Sequence, residues 1–229
     1  MKKTICFIIT LMYLMVNSTV SAQSLDGKEK SVTLIAAFTA RGDMERLDES
    51  FDTGLDAGLT VNEIKEILVQ MYAYCGFPRS LNALNRFMAK TEQRATTGKH
   101  DEIGKEASPV TAGTDMSALG EETRTRLVGR PVTGKIYEFC PVIDEYLRSH
   151  LFGDIFARDN LSHAYRELAT VGALAGMNLE GQLRSHLGIC RNLGYSQSQL
   201  DDFAKIISDE VGAEEGKTVS KVVESIFIK

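Results

Sequence analysis

The sequence of 229 residues has few cysteines and no C-x-x-C pair, so it lacks the residues of a dithiol redox centre. Beyond the N-terminal segment only Cys75, Cys140 and Cys190 remain, and they lie far apart in sequence. A disulfide between two of them is one alternative in an oxidising compartment. The spacing favours the other alternative, which is buried thiols on helices.

The sequence also has fewer basic than acidic residues. The formal net charge is −5, and the apolar fraction is that of a globular chain able to bury a core. Such a protein has no electrostatic reason to bind nucleic acid, so we expect no nucleic-acid partner.

Long apolar runs are missing except near the N-terminus, where CFIITLMYLMV follows Lys2 and Lys3 and precedes Val20-Ser21-Ala22. The run is short for a membrane span, and this order of segments is typical of a secretory signal peptide cleaved after Ala22. An uncleaved N-terminal anchor is the alternative. We therefore expect an exported protein, periplasmic or secreted, with no membrane partner after cleavage. Loss of the two lysines would change the net charge from −5 to −7.

Apolar residues recur at helical spacing, and no stretch shows the alternation of a β-strand. Helices are predicted from Lys28 to Ala40 and from Asp43 to Ala57, with Gly58 ending the second. Further helices are predicted from Thr60, where Glu63 completes a capping box, from Pro78, over residues 117–128, and over residues 136–155 with a break at Pro141.

The later half of the chain repeats the earlier half. Gly194-Tyr195-Ser196 with Gln199 reproduces Gly58-Leu59-Thr60 with Glu63, capping box included, at an offset of 136. This predicts an all-α fold in which two related helical units pack as a pseudo-dimer within one chain. The predicted divisions are a signal peptide (1–22), a truncated first unit (23–93), a polar linker (94–118) and a second unit (119–229).

Glu167 and His186 are the candidate catalytic residues, because a carboxylate with an imidazole is a minimal general acid–base pair. They lie on consecutive predicted helices joined near Met177-Asn178, and an antiparallel hairpin would bring them together. In the alternative, Glu167 stabilises a helix start near Ser162 and pairs with an arginine, while His186 is a core histidine.

Three segments, HLFGDIFARDNL, RELATVGALA and QLRSH, resemble the carboxymuconolactone decarboxylase family, whose relatives include the AhpD-type alkylhydroperoxidases. The resemblance runs roughly from Glu121 to the C-terminus and recurs in part earlier. It implies AhpD-like helical units, proton donor and acceptor roles for Glu167 and His186, no cofactor, and assembly into a homo-oligomer.

The resemblance also implies a substrate-binding segment. Residues Tyr72, Tyr74, Cys75, Gly76, Phe77 and Pro78 match the family's Tyr-x-Gly-x-Pro segment, which borders the pocket in relatives. The alternative is a helix end with aromatic core packing, which accounts for Tyr72 better than for Tyr74. A carboxylate substrate would need a cationic partner, for which Arg166, Arg184 or Arg158 is available.

The hydroperoxidase branch resembles Glu-x11-Cys-x2-Cys-x3-His, but here Leu179 and Gln182 occupy the two cysteine positions. Cys190, one turn after His186, would need an outside resolving thiol. His163 and Glu167, with His150 and His186, would suffice for a metal, but their spacing matches no specific metal site, so we expect none.

The resemblance and the residues together predict a cofactor-independent lyase or isomerase-type enzyme that acts on a small carboxylated or lactone substrate. One alternative is an AhpD-like antioxidant protein with peroxiredoxin activity, and another is a catalytically silent helical binding or assembly protein.

At the offset of 136, Glu167 and His186 align with Ser31 and Ser50, while Tyr74 aligns with Glu210. Each unit therefore retains what the other lacks. This predicts one composite site per chain, with Glu167 and His186 facing the Tyr72–Pro78 segment. The alternative is one dead unit beside one structural unit.

Overall fold

The computed structural model describes residues 24–228, and the predicted signal peptide lies outside them. The described chain is helical and contains no β-strand. The α-helices are α1 (Gly27–Arg41), α2 (Met44–Asp56), α3 (Val61–Thr96), α4 (Met116–Val128), α5 (Lys135–Phe139), α6 (Pro141–Glu145), α7 (His163–Gly176), α8 (Glu180–Asn192), α9 (Gln197–Ile206) and α10 (Ala213–Phe227). Two π-helical segments, π1 (Tyr146–Ile155) and π2 (Ile207–Val211), complete the order.

Capping residues explain where several helices begin. Thr60 accepts from the Glu63 backbone N–H while the Glu63 side chain accepts from the Thr60 N–H, and Ser196 with Gln199 does the same at α9. Both predicted capping boxes are therefore present. Each satisfies two backbone donors that would otherwise be unpaired at a helix start.

The predicted repeat is present at the predicted offset. Adding 136 to the residue numbers of α2 gives the first and last residues of α8. The same shift of α1 gives the first residue of α7. The backbone leaves the helical conformation at Gly76, where φ is 82°, and again at Gly212. We call α1 to α3 the first unit and α4 to α10 the second unit.

Helices α1 and α7 form the centre of the contact between the units, and small residues allow their backbones to approach closely. A Cβ atom added at Gly172 would lie 2.5 Å from the Thr33 carbonyl oxygen, and one at Gly176 would lie 2.9 Å from the Ala37 oxygen. Buried residues of both units form one continuous hydrophobic core. The predicted all-α pseudo-dimer is confirmed.

The polar stretch predicted as a linker is irregular but packed. Helix α3 continues to Thr96, and the following residues return to its start, where the N–H groups of Val61 and Asn62 donate to the oxygens of Glu102 and Ile103, both at 2.9 Å. The predicted break before Pro141 is present, because α5 ends at Phe139 and α6 begins at Pro141. Within residues 24–228 no helix is both long and apolar enough to cross a bilayer.

Candidate active site

The α7–α8 hairpin brings Glu167 and His186 into direct contact. Its connection turns at Asn178, whose φ is 55°. The Nδ1 atom of His186 lies 2.8 Å from Glu167 Oε2. Glu167 is fully buried, whereas His186 retains 9% exposure. The Ser162 side chain caps α7 by accepting from the Tyr165 N–H, and Glu167 pairs with His186 and not with an arginine within residues 24–228.

His186 lines a cavity of about 480 Å³, and Glu167 is sealed behind it. The lining combines an apolar wall with polar residues of α8 and the loop after α4. It consists of Arg124, Val128, Arg130, Val132, Thr133, Tyr137, Leu147, Leu151, Phe152, Gln182, Arg184, Ser185, His186, Gly188, Ile189, Arg191 and Asn192. All of these residues belong to the second unit.

The cavity is cationic. Four arginines line it, and the described lining contains no aspartate or glutamate. A site with this lining favours an anionic ligand, since a guanidinium binds a carboxylate through two parallel hydrogen bonds. The cavity also has the size and the mixed apolar and polar lining of a small-molecule site.

Tyr74 of the first unit contacts the pair but does not line this cavity. Its ring meets the His186 ring edge-on, with centroids 5.9 Å apart and an interplanar angle of 79°. The Tyr74 hydroxyl oxygen and Glu167 Oε1 are buried without a hydrogen-bond partner. An unpaired buried polar atom costs about 1–3 kcal/mol, so two of them beside one imidazole form an unusual feature.

Comparison with known proteins matches two stretches, residues 11–87 and 141–224, to the model of the carboxymuconolactone decarboxylase family. These stretches cover more than half of the chain, and the first begins inside the apolar run of the predicted signal peptide. The chain belongs to the carboxymuconolactone decarboxylase family.

A curated member of this family is similar to part of the chain. It is the 4-carboxymuconolactone decarboxylase of Acinetobacter baylyi, 24% identical over 112 residues, which are 47% of this chain and 84% of the relative.

In the present structure, Arg166 does not line the cavity, although a substrate-binding role would require it to do so. Its side chain is fully buried, and its guanidinium donates to Glu66 Oε1 at 2.8 Å and to the Arg158 carbonyl oxygen at 3.1 Å. Burial lowers the pKa of Arg166 despite the neighbouring Glu66 carboxylate. Arg158 is bonded to Glu66 as well. Of the three arginines predicted for a substrate carboxylate, Arg184 is the one that lines the cavity.

The family's Tyr-x-Gly-x-Pro segment lies beside the pair but does not line this cavity, so the expectation that both units line it is not met. Tyr72 stacks on Phe77 with ring centroids 4.5 Å apart, and Gly76 and Pro78 are exposed. Cys75 donates to the Met71 carbonyl oxygen at 3.1 Å, and burial raises the pKa of its thiol to about 11.

The first unit has no acid–base pair at the repeated positions. Ser31 and Ser50 are buried, and their hydroxyls donate to the carbonyl oxygens of Gly27 and Arg46, each at 2.8 Å. Both side chains are thus used within their own helices. The candidate site is single within the described chain.

The remaining histidines are not gathered around His186. His150 Nδ1 lies 2.7 Å from Asp154, and His163 Nε2 lies 3.1 Å from the Phe156 carbonyl oxygen. Burial and Arg126 lower the pKa of His163. Within residues 24–228 no cluster of three or more histidine, cysteine, aspartate or glutamate side chains is arranged to hold a metal.

Sequence reasoning missed most of the cationic lining. Arg124, Arg130, Tyr137 and Arg191 come from four separate elements, namely α4, the loop after it, α5 and α8. The only signal in the sequence was the concentration of arginine over residues 124–130, and nothing in that pattern located the cavity.

Proposed function

We propose that this chain is a cofactor-independent lyase or isomerase-type enzyme in which His186, backed by Glu167, transfers a proton to or from a small carboxylated or lactone substrate. One observation carries the proposal. The imidazole lines a cationic cavity while its carboxylate partner is fully buried behind it, 2.8 Å away.

The two ring nitrogens of His186 have different environments. Nδ1 is bonded to Glu167, which leaves Nε2 as the nitrogen for the cavity. The carboxylate fixes the ring orientation and balances the positive charge when the ring is protonated, as the acidic member does in other histidine-based sites. His186 is therefore the group that exchanges a proton with the substrate, and Glu167 supports it.

The cavity lining suits a substrate with a carboxylate on an apolar body. Arg130 and Arg184 supply cations, while Leu151, Phe152 and Ile189 supply apolar surface. Holding the carboxylate at an arginine orients the rest of the substrate toward His186, and such positioning is itself a large part of catalysis.

Similarity to a 4-carboxymuconolactone decarboxylase supports decarboxylation as the specific reaction. In that step the bond between the carboxyl carbon and the substrate breaks, and CO2 leaves. The electron pair of that bond is delocalised over the adjoining lactone. A proton from Nε2 of the His186 imidazolium then bonds to a carbon of that delocalised system, which leaves the neutral ring with its proton on Nδ1, and solvent returns a proton to Nε2. The balance consumes one proton and requires no oxidant or reductant.

The antioxidant alternative has less support. Leu179 and Gln182 stand at the two cysteine positions of the hydroperoxidase pattern. Cys190 is fully buried, and burial together with Glu167 raises the pKa of its thiol well above the usual value. A thiol that stays protonated and buried is a poor nucleophile toward a hydroperoxide.

The test is to incubate the protein with 4-carboxymuconolactone and to measure CO2 release together with loss of substrate. We expect turnover in the parent and a decrease in kcat/KM of about 10²- to 10⁴-fold in His186→Gln, because a general acid is removed. Glu167→Gln should also reduce turnover. The matched control is His150→Gln, since His150 is exposed and does not line the cavity.

Two results would count against the proposal. One is a parent that binds the lactone in calorimetry but releases no CO2, which would support the silent binding protein. The other is a His186→Gln variant with unchanged turnover. Export and homo-oligomeric assembly stay predictions from the sequence.

A further inference from the structure

Two of the buried side-chain oxygens that lack a hydrogen-bond partner adjoin the same imidazole. They are the Tyr74 hydroxyl oxygen and Glu167 Oε1. Tyr74 touches the His186 ring edge-on, and Glu167 bonds to it through Oε2. One residue comes from α3 of the first unit and the other from α7 of the second.

The two atoms are chemically complementary. A phenol hydroxyl donates a hydrogen bond, and a carboxylate oxygen accepts one. Burial and the nearby charge of Glu167 raise the pKa of the Tyr74 phenol, so its hydroxyl retains its proton at neutral pH. Tyr74 is thus a donor beside an acceptor that has no other partner.

The other polar groups nearby are weaker candidates for this acceptor. The Thr170 hydroxyl donates to the Arg166 carbonyl oxygen at 2.9 Å and accepts from Gln70 at 3.0 Å, so its only proton is committed. The Cys190 thiol is a weak donor. The Tyr74 hydroxyl is a strong donor that has no other hydrogen-bond partner among the described residues.

We propose that Tyr74 is a positioning residue for the acid–base pair. Its hydroxyl donates to one bridging water that in turn donates to Glu167 Oε1, and this holds the carboxylate with Oε2 directed at His186 Nδ1. The pair in the second unit therefore depends on a side chain of the first unit. Such outer hydrogen bonds fix the tautomer and orientation of a functional histidine.

The first experiment observes the ring directly and needs no substrate. The ¹⁵N signals of His186, assigned by their loss in His186→Gln, should show one tautomer with the proton on Nδ1 in the parent. Tyr74→Phe keeps the ring contact and removes the hydroxyl. We expect this variant to show a mixture of tautomers or broadened His186 signals. Tyr72→Phe, two residues earlier on the same helix with its ring on Phe77, is the control and should match the parent.

The second experiment is a double-mutant cycle on the free energy of unfolding with Tyr74→Phe and Glu167→Gln. A water-bridged contact predicts that the two effects are not additive. The cycle of Tyr72→Phe with Glu167→Gln should be additive. Parent-like His186 signals in Tyr74→Phe, or additive effects in the Tyr74 cycle, would overturn the proposal. In that case the Tyr74 side chain serves packing alone.

The catalytic consequence rests on the proposed function, and its failure can be told apart from failure of the positioning role. If the parent decarboxylates the lactone, Tyr74→Phe should lower kcat roughly tenfold to a hundredfold with little change in KM, because the acid–base pair is less well oriented. A parent without turnover but with a Tyr74-dependent His186 ring would refute the enzyme assignment and retain the positioning role. Full turnover in Tyr74→Phe with parent-like His186 signals would refute the positioning role and retain the enzyme assignment.

Discussion

The arginines that line the cavity differ in the hydrogen bonds and ion pairs that they already make within the protein. Arg124 is buried and ion-paired with Glu121 and Asp144. Arg184 is bonded to Ser225. Arg130, in contrast, is exposed and has no hydrogen bond or ion pair within residues 24–228. It is the cavity arginine whose guanidinium is most available to a ligand.

Arg130→Gln should therefore weaken binding of a carboxylated substrate more than it slows the chemical step. We expect KM for 4-carboxymuconolactone to increase about tenfold or more, because one charge-assisted hydrogen bond contributes roughly 1.5–3 kcal/mol. The matched control is Arg126→Gln, which removes an exposed arginine of the same segment that does not line the cavity. A kcat decrease at unchanged KM in Arg130→Gln would instead assign that residue to the chemical step.

Sequence reasoning identified some of these residues and missed others, for a physical reason. The contact between Glu167 and His186 was predictable because their residue types and a short local motif indicate the pair. The sequence could not show that Tyr74 contacts the His186 ring while Tyr72 stacks on Phe77, because the Tyr74 contact forms between the two units. The position of Arg130 was not predicted, because the cavity that it lines is formed by residues distant in sequence. Contacts between residues that are far apart in sequence produce no periodic pattern in the sequence.

Among the structural elements, helix starts were the most predictable feature. Thr60 and Ser196 were identified as caps because an N-cap acts through hydrogen bonds within three residues of itself. The π-helical segment Tyr146–Ile155 was not predicted, since the sequence pattern there is that of an ordinary helix. The fold of the linker onto the start of α3 was also missed, because backbone hydrogen bonds between distant segments have no side-chain signature.

The contact between α1 and α7 gives a prediction at the level of an element. Gly172→Ala would place a Cβ atom 2.5 Å from the Thr33 carbonyl oxygen, closer than such atoms can approach. The helices must then move apart, and overpacking of this kind typically costs about 1–3 kcal/mol. Urea unfolding should show a lower free energy of unfolding by roughly that amount.

The control for this experiment is Gly181→Ala, on helix α8 with no atom within 4 Å of the added methyl group. A glycine-to-alanine change in an open helical position should leave stability unchanged or raise it by up to about 1 kcal/mol. If Gly172→Ala behaves like Gly181→Ala, the close packing of α1 on α7 is not a constraint on the fold.

At the scale of the whole molecule, Glu66 links the two units through a buried polar network. Its carboxylate, on α3, accepts from Arg158 at 2.7 Å, from Arg166 at 2.8 Å and from Asn160 at 3.0 Å. The repeated position, Asp202, accepts from the Leu25 N–H at 2.9 Å, so each unit anchors the segment that precedes the other unit's central helix. Burial opposes ionisation of Glu66, but the hydrogen bonds from Arg158 and Arg166 hold its pKa below the usual value.

The depressed pKa of Glu66 predicts how stability varies with pH. The contribution of this carboxylate is fully present above its unfolded-state pKa, near 4.5, and is lost as the pH falls through the lower folded-state pKa. Glu66→Gln should lower the free energy of unfolding at pH 7 by about 3 kcal/mol or more, because it leaves two arginines beside an uncharged partner. The difference from the parent should shrink as the pH falls below about 4.5.

Glu92→Gln is the matched control for this pH series, because Glu92 lies on the same helix and is exposed. It should have little effect at either pH. A Glu66→Gln deficit that stays constant down to low pH would show that the loss comes from packing and not from the charge of the carboxylate.

The close approach of α1 and α7 has a further consequence for how this chain can change. In a symmetric pair of identical subunits, every contact occurs twice with the same residues, so a substitution acts on both copies at once. Here Gly172 meets Thr33, while the exchanged positions carry Ala36 and Ala169. Because both halves belong to one chain, the α1–α7 contact need not be self-complementary. A mutation therefore changes only one side of the contact. One half is free to specialise in proton chemistry while the other becomes its scaffold, a division that identical subunits cannot reach by single mutations.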